Sequence, residues 1–253
     1  MILREVWSVS VVRVSLYTAL VLIATIVLQV YTPATRGYFN LGEVAIYTVA
    51  ALTSPLIAGV AGGVGSALAD LVTGYGIFAP GTLVIKFVEG FIASSLISSF
   101  RKRLSPSRAR VASLIMGVLL GVLIAGLGIV LFTGEVEVYS VPLSVMGFEV
   151  IVLSTKFSLA TWFWVLVGLA VTALVIYFVI RVRGESLSFV IPVLISGLIM
   201  VTGYFLYEYF VSNPLQGIPP EEAFVEVPVN LGQALVGLAL SSPVITFVNR
   251  ARG

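Results

Sequence analysis

Five ionisable side chains, Glu43, Asp70, Lys86, Glu89 and Glu208, stand inside or at the rim of long apolar runs. At membrane depth such groups cost roughly 2.5–3.5 kcal/mol each on insertion scales, so they turn toward a cavity or a partner. Lys86 and Glu89, three apart, share a helix face, as do Tyr204 and Glu208, four apart, and Asn230 and Gln233. The chemistry this set supports is hydrogen bonding and ion pairing rather than bond making. The chain has no His and no Cys, which removes imidazole acid–base steps, thiolates, disulfides and zinc sites with nitrogen or sulfur ligands. Asp70 is the sole Asp, so an aspartyl dyad is excluded too. An enzyme is not expected, nor a resident cofactor or metal.

Asp70 falls at the end of a helical segment, where unpaired carbonyls disfavour a carboxylate. It needs a donor, and Lys86, across the loop Gly74–Gly81, is the expected partner in a structural pair; Glu89 extends that pair to a triad. If Lys86 neutralises one acid, Glu89 and Glu208 remain, either as protonated donors or facing a cationic or donor-rich ligand. Both arrangements favour a small heterocycle over a strongly anionic substrate.

The elements that position these groups follow from composition. Hydrophobic residues are 59% of the 253-residue chain and charged ones 10%, with a mean hydropathy of +1.12. A soluble domain carries about 25% charged residues; here the solvent is lipid. Apolar runs near the length of a bilayer span mark about eight segments: 11–31, 43–53, 56–72, 83–100, 111–132, 160–180, 189–211 and 229–248. The second is half a span long, so it is tilted or continues past Pro55, and seven spans are the other count. Arg4, Arg13, the basic stretch Arg101–Arg110, Arg181, Arg183, Arg250 and Arg252 gather at alternate ends of the segments. Arg36 and Lys156 are the basic residues of the opposite loops, beside Glu135, Glu137, Glu149, Glu221, Glu222 and Glu226. By the positive-inside rule both termini are cytoplasmic in a multi-pass protein of the cell membrane, and the five ionisable groups lie in the outer half. No cleavable leader is expected, since the first apolar stretch is long and Gln29–Pro33 is not a small-residue cleavage site.

Glu135–Val141 alternates polar and apolar residues, and Phe148–Leu153 follows Gly147 as a second strand, which reads as an external β-hairpin. Asn213–Pro228 reads as a plain loop. Gly59 with Gly63, Gly117 with Gly121, and Ser15 with Ala19 stand four apart, the spacing that lets membrane helices approach closely. A net charge of +2 gives no footprint for nucleic acid, and no GxxxxGK[ST] phosphate loop is present. Two classes remain: a substrate-binding transport subunit, and a self-sufficient secondary transporter or channel, which ordinarily carries inverted repeats and broken helices in both halves. No such repeat is visible.

The runs Gly37-Tyr38-Phe39-Asn40-Leu41-Gly42-Glu43, Gly62-Gly63-Val64-Gly65-Ser66-Ala67-Leu68-Ala69-Asp70-Leu71, Gly74-Tyr75, Pro80-Gly81-Thr82 and Lys86-Phe87-Val88-Glu89-Gly90, in this order, resemble the S components of energy-coupling factor (ECF) transporters. The resemblance is closest to the riboflavin and hydroxymethylpyrimidine group. Gly203-Tyr204-Phe205 with Glu208, and Pro228-Val229-Asn230-Leu231-Gly232-Gln233, agree with it. It implies an all-α membrane protein with a six-helix bundle that binds one vitamin or precursor from outside. It also implies partners: a transmembrane coupling subunit and two cytoplasmic ATPase subunits. The candidate binding set is Asn40, Glu43, Asp70, Tyr75, Lys86, Glu89, Tyr204, Glu208, Asn230 and Gln233. Position 43 often carries Asp in this family, so Glu43 is a conservative departure. The first helix of such proteins usually docks on the coupling subunit through two alanines four apart, a spacing met here by Ser15 and Ala19. Residues 1–110 and 185–253 form the expected core of a single membrane domain, and 111–184 an inserted helical pair with the hairpin. The topology predicts that Arg101–Arg110 resists membrane-impermeant labels applied to intact cells; labelling of this loop from outside overturns it.

Overall fold

The computed structural model describes residues 2–103, 105–131, 133–145, 148–181 and 187–252. Gly147 and Arg183 lie outside the described residues. Helix α1 (Ile2–Val27) leads into strands β1 (Leu28–Thr32) and β2 (Gly37–Asn40), then α2 (Gly42–Leu52), α3 (Pro55–Thr73), α4 (Ala79–Arg103) and α5 (Pro106–Leu131). Strands β3 (Gly134–Val145) and β4 (Phe148–Leu159) follow, then α6 (Thr161–Arg181) and α7 (Leu187–Tyr207). After α7 come a π-helical turn (Glu208–Ser212), α8 (Asn213–Gln216), a 3-10 turn (Pro220–Glu222) and α9 (Ala223–Arg252). The chain is thus an all-helical membrane bundle with a small sheet. Among the described residues, five helical stretches are long and apolar enough to cross a membrane: Pro55–Thr73, Ala79–Lys102, Ser107–Val130, Phe189–Gln216 and Pro220–Val248. Val11–Val27, Gly42–Leu52 and Thr161–Tyr177 are shorter apolar helices.

Three expectations change. The first segment stops being helical at Val27: Val30-Tyr31-Thr32 is β-branched and aromatic, suits a strand, and pairs antiparallel with Gly37–Asn40 through a turn in which Arg36 takes a φ of 56°. The hairpin is longer than the alternation indicates and belongs to a four-stranded antiparallel sheet, ordered β2-β1-β3-β4. The stretch Asn213–Pro228 is helical over much of its length, and α9 starts at Ala223 rather than Val229. Prolines hid this, because Pro220 suits a helix start and Pro228 sits inside α9 as a tolerated membrane-helix proline.

The short second segment does not run on past Pro55. Thr53 is extended (φ −133°, ψ 179°), and Pro55 opens α3 at its first turn, where a missing N–H costs nothing. With 11 residues, α2 is about 16 Å long at 1.5 Å per residue, about half of a bilayer core. Arg101 donates to the Ala51 carbonyl, tying the C-terminal end of α2 to the basic end of α4. Glu43, in the first turn of α2, therefore sits well inside the bundle.

Glycines set the helix separations. A Cβ on Gly63 would stand 2.5 Å from the Leu83 carbonyl oxygen, one on Gly62 2.8 Å from that of Lys86, and one on Gly90 2.5 Å from that of Ala58. Backbones of α3 and α4 thus touch directly along their length. Gly121 and Gly168 bring α5 and α6 together in the same way, each facing the other's carbonyl. The third spaced pair, Ser15 and Ala19, makes no such contact: both are exposed on α1. The core forms where α2, α4, α7 and α9 meet, around Ile46, Tyr47, Ile97, Met200, Leu238 and Ile245. Outward faces carry exposed Leu16, Val118, Val122, Leu166 and Leu169, an apolar shell suited to lipid.

Replacing Gly63 by Val forces α3 from α4 and should lower stability in detergent by roughly 1–3 kcal/mol, the usual range for overpacking. Gly126, with nothing within 4 Å of its Cβ position, should accept Ala without loss. Thermal unfolding of the two variants separates these outcomes, and equal melting temperatures contradict the packing described.

Candidate functional site

Lys86 is 2% exposed on α4. Its ammonium is paired with Glu43 on α2 and lies 3.0 Å from Glu89 Oε2, one turn along α4. Tyr47 OH donates to Glu89 Oε1 at 2.8 Å, and the Lys86 ammonium sits 5.4 Å from the centre of the Tyr204 ring. The triad therefore exists, but with Glu43 rather than Asp70 as its third member. The expected Asp70–Lys86 pair is not formed. The short α2 brings Glu43 to the level of Lys86, while the equally buried Asp70 is met by other groups.

Asp70 finds its donors elsewhere. Tyr38 OH on β2 donates to Asp70 Oδ1 at 2.5 Å, and the Thr82 hydroxyl is hydrogen-bonded to the same carboxylate. Thr82 also accepts from Tyr204 OH at 3.1 Å. Burial, and then the neighbouring Asp70 charge, push the Tyr38 phenol well above its ordinary pKa of 10.0, so it remains a donor. The Tyr75 ring packs on Tyr38 with centroids 4.3 Å apart. Gly74 ends α3 in the left-handed region (φ 91°), a conformation glycine adopts without penalty, and it lets the Tyr75 N–H close back on the Asp70 carbonyl at 2.8 Å.

Strand β2 is fixed from two sides. The Asn40 N–H donates to Gln233 Oε1 on α9 at 2.8 Å, and Asn40 Oδ1 accepts from the Gly42 N–H at 2.7 Å. Gly37 leaves space for Glu226: a Cβ there would lie 2.6 Å from Glu226 Oε1. Thr32 and Thr35 are hydrogen-bonded to Glu226. The sequence places Glu226 in a solvated outer loop; the early start of α9 instead buries it, at 2% exposure. On the π-helical turn, Glu208 is equally buried and lines the same cavity as Glu226.

These elements enclose a cavity of about 30 Å³ lined by Thr25, Gly37, Tyr38, Asn40, Ser66, Asp70, Phe78, Thr82, Lys86, Tyr204, Glu208, Glu226, Asn230 and Gln233. Seven of the ten candidate binding residues line it. Glu43 and Glu89 stand behind Lys86, and Tyr75 stands behind Tyr38. Sequence reasoning missed Tyr38, Ser66, Thr82 and Glu226 as site residues. The first three lie inside the quoted motifs, but as ordinary hydroxyls they carried no signal of depth. Four side-chain oxygens of the lining are buried without a partner: Ser66 Oγ, Asp70 Oδ2, Glu208 Oε2 and Glu226 Oε2. Orphaned buried acceptors are costly, so the arrangement is one that awaits hydrogen-bond donors.

Lys86→Met leaves Glu43 and Glu89 buried without their cation and should cost about 3–5 kcal/mol of stability, the scale of a broken buried ion pair. Thermal unfolding in detergent measures it, and an unchanged transition contradicts the triad.

Residues 7–160 match the sequence model of a family described as ECF-type riboflavin transporter, S component. The matched stretch takes in α1 to α5 and the β3–β4 hairpin. A 118-residue segment is 39% identical to an uncharacterized protein in gap 3′ region from Pyrococcus woesei, covering 47% of this chain and 70% of that protein. No solved structure matches the chain. With a family match over more than half its length, across the strands and helices that bear Tyr38, Asn40, Asp70 and Lys86, the chain belongs to the ECF-type riboflavin transporter S-component family.

Proposed function

We propose that this protein captures a riboflavin-type vitamin from outside the cell and hands it to a transmembrane coupling subunit driven by two cytoplasmic ATPase subunits. The observation that carries this reading is the buried, acceptor-rich cavity between β2, α3, α4, α7 and α9, in a member of a substrate-binding transporter family. Orientation follows from the basic residues: α1 and α9 begin and end inside, which turns the sheet and the cavity outward. Capture needs no nucleotide site on this chain, since the partner subunits supply the ATP hydrolysis.

The cavity is far below the roughly 300–1,000 Å³ of a ligand pocket, so the ligand enters by displacing its cover. The covering elements are the β1–β2 ribbon, the Gly74–Phe78 loop and the turns between Ser212 and Ala223. The β3–β4 hairpin holds this cover through β1, which pairs with β3 from Leu28 to Val30. The region 111–184 thus acts as an inserted helical pair whose hairpin steadies the ribbon bearing Tyr38 and Asn40, beside a six-helix core of 1–110 and 185–253. Ser15 and Ala19, exposed on α1 with Val11, Val12 and Leu16, form the small-residue face that meets the coupling subunit.

Titration of the detergent-solubilised protein with riboflavin, followed by quenching of flavin fluorescence, should saturate at one site. Asp70→Asn should weaken that binding by more than ~1 kcal/mol, the scale of a lost hydrogen bond to a charged group. No saturable binding of riboflavin, or of any vitamin in a panel, would overturn the capture reading.

A further inference from the structure

A wider opening lies at the other end of the bundle. A groove of about 600 Å³ runs among α1, α2 and α3, lined by Arg13, Tyr17, Leu52, Thr53, Ser54 and Ile57. That is the size of a small-ligand pocket, whereas the cavity around Asp70 measures about 30 Å³. Its depth is set by the spans beside it. The apolar part of α1 begins at Val11 and the span of α3 at Pro55, so Arg13 and Ser54 stand at one boundary of the bundle. The basic residues make that boundary the cytoplasmic one. Arg13 and Ser54 are both exposed, so the groove is open to what surrounds the bundle. Arg13 also lacks a counter-ion within the protein. The ion pairs among the described residues are those of Lys86, and between Val11 and Ala69 the one acid is Glu43, at the far end of α2. From Gly90 to Arg103 α4 has no acid either. Its Arg101, which donates to the Ala51 carbonyl, adds a positive charge next to Leu52. The start of α3 adds donors: Ser54 leaves it without a side-chain cap, and the N–H groups of its first turn have no intrahelical acceptor.

We propose that this groove binds the phosphate of an anionic phospholipid of the cytoplasmic leaflet. A positive, acid-free opening at headgroup level requires an anion from outside the protein, and lipid phosphate is the anion held at that depth. The Arg13 guanidinium forks onto the phosphate oxygens, and the Ser54 hydroxyl donates from the opposite wall. Tyr17, one turn along α1, presents its phenol at the level of the glycerol backbone. The acyl chains continue over the exposed Leu16 and Leu20 of α1 and Leu56 of α3. Ser15 and Ala19, the face assigned to the coupling subunit, lie roughly 120–160° round α1 from Arg13 at about 100° per residue. A lipid here therefore does not compete with that partner. The site depends on the orientation of the bundle and not on the capture of a vitamin.

The test uses the full chain in non-ionic detergent, with dioleoylphosphatidylglycerol, dioleoylphosphatidylcholine or inorganic phosphate as probes. Native mass spectrometry counts the lipid retained, and thermal unfolding records the shift each probe causes. Wild type should retain one phosphatidylglycerol per chain, about tenfold or more tighter than phosphatidylcholine, and melt at a higher temperature with it. Arg13→Gln should lose about tenfold in that binding, the scale of a hydrogen bond to a charged group. Arg110→Gln, which removes an exposed arginine of α5 outside the groove, should keep it. Ser54→Asp sets a carboxylate where a helix start favours one but where it repels phosphate. It should lose the lipid without melting lower than wild type in the lipid's absence, and it carries the test if Arg13→Gln does not fold. Equal retention of the two lipids, or wild-type retention in Arg13→Gln and Ser54→Asp, overturns the proposal. So does an equal loss in Arg110→Gln, which marks diffuse surface charge. A shift with inorganic phosphate as large as that with phosphatidylglycerol marks a free-anion site and overturns the lipid assignment. Riboflavin titration of the same variants should be unchanged, so failure here is distinct from failure of the capture reading.

Discussion

Lipid offers a buried charge nothing, so the placement of Lys86 governs much of this bundle. Its ammonium must be met by protein, and the partners come from α2 and from one turn along α4. Tyr47 completes Glu89, and the Tyr204 face lies within reach of the cation. Side chains on α2, α4 and α7 are thereby held in one arrangement. An α2 spanning the whole bilayer would not start at this depth; its half-length is what delivers Glu43 to the lysine. The irregular chain ahead of α2 is tolerable because β1 and β2 pair with each other and with β3, so the backbone groups at this level find partners inside the protein.

Close helix approach is the second condition. Gly62 lies against the Lys86 carbonyl and Gly63 against that of Leu83, so the face of α3 that carries Ser66 and Asp70 comes level with the face of α4 that carries Thr82 and Lys86. Larger residues at these glycines would part the two faces and open the hydrogen-bonded chain Tyr38–Asp70–Thr82–Tyr204. Fold and site are therefore not separable here: the small residues that pack the bundle also set the width of the cavity. The π-helical turn at Glu208–Ser212 adds a local irregularity of the kind often found at functional sites.

Much of this was legible in the chain. The helices α2 to α7 fall within a few residues of the apolar segments because hydrophobic length is the strongest signal a membrane chain carries. Period-two alternation located the β3–β4 hairpin. Depth of polar groups picked out Asp70, Lys86, Tyr204, Glu208, Asn230 and Gln233 for the same reason: each costs too much in lipid to stand there idly. What stayed hidden was pairing. Lys86 has acids at several sequence distances, and only the half-length of α2 decides for Glu43 over Asp70. Glu226 was hidden by prolines that look like loop and by acidic neighbours, Glu221 and Glu222, that do stay out of the core. The ribbon β1–β2 was hidden by the hydrophobicity of its first strand, since Leu28-Gln29-Val30-Tyr31 extends an apolar run without changing its composition.

A family that takes a vitamin-type substrate requires a polar pocket closed to lipid, and this chain gathers its unmet acceptors on one buried cavity. The most direct measurement is mass spectrometry of the small molecules carried by protein purified from its native membrane in mild detergent. The account predicts a vitamin-like heterocycle, riboflavin or a relative, at close to one per chain, and none on protein in which Asp70 and Glu208 are both replaced by their amides. Protein that carries no such molecule and acquires none on incubation with a vitamin panel would contradict it.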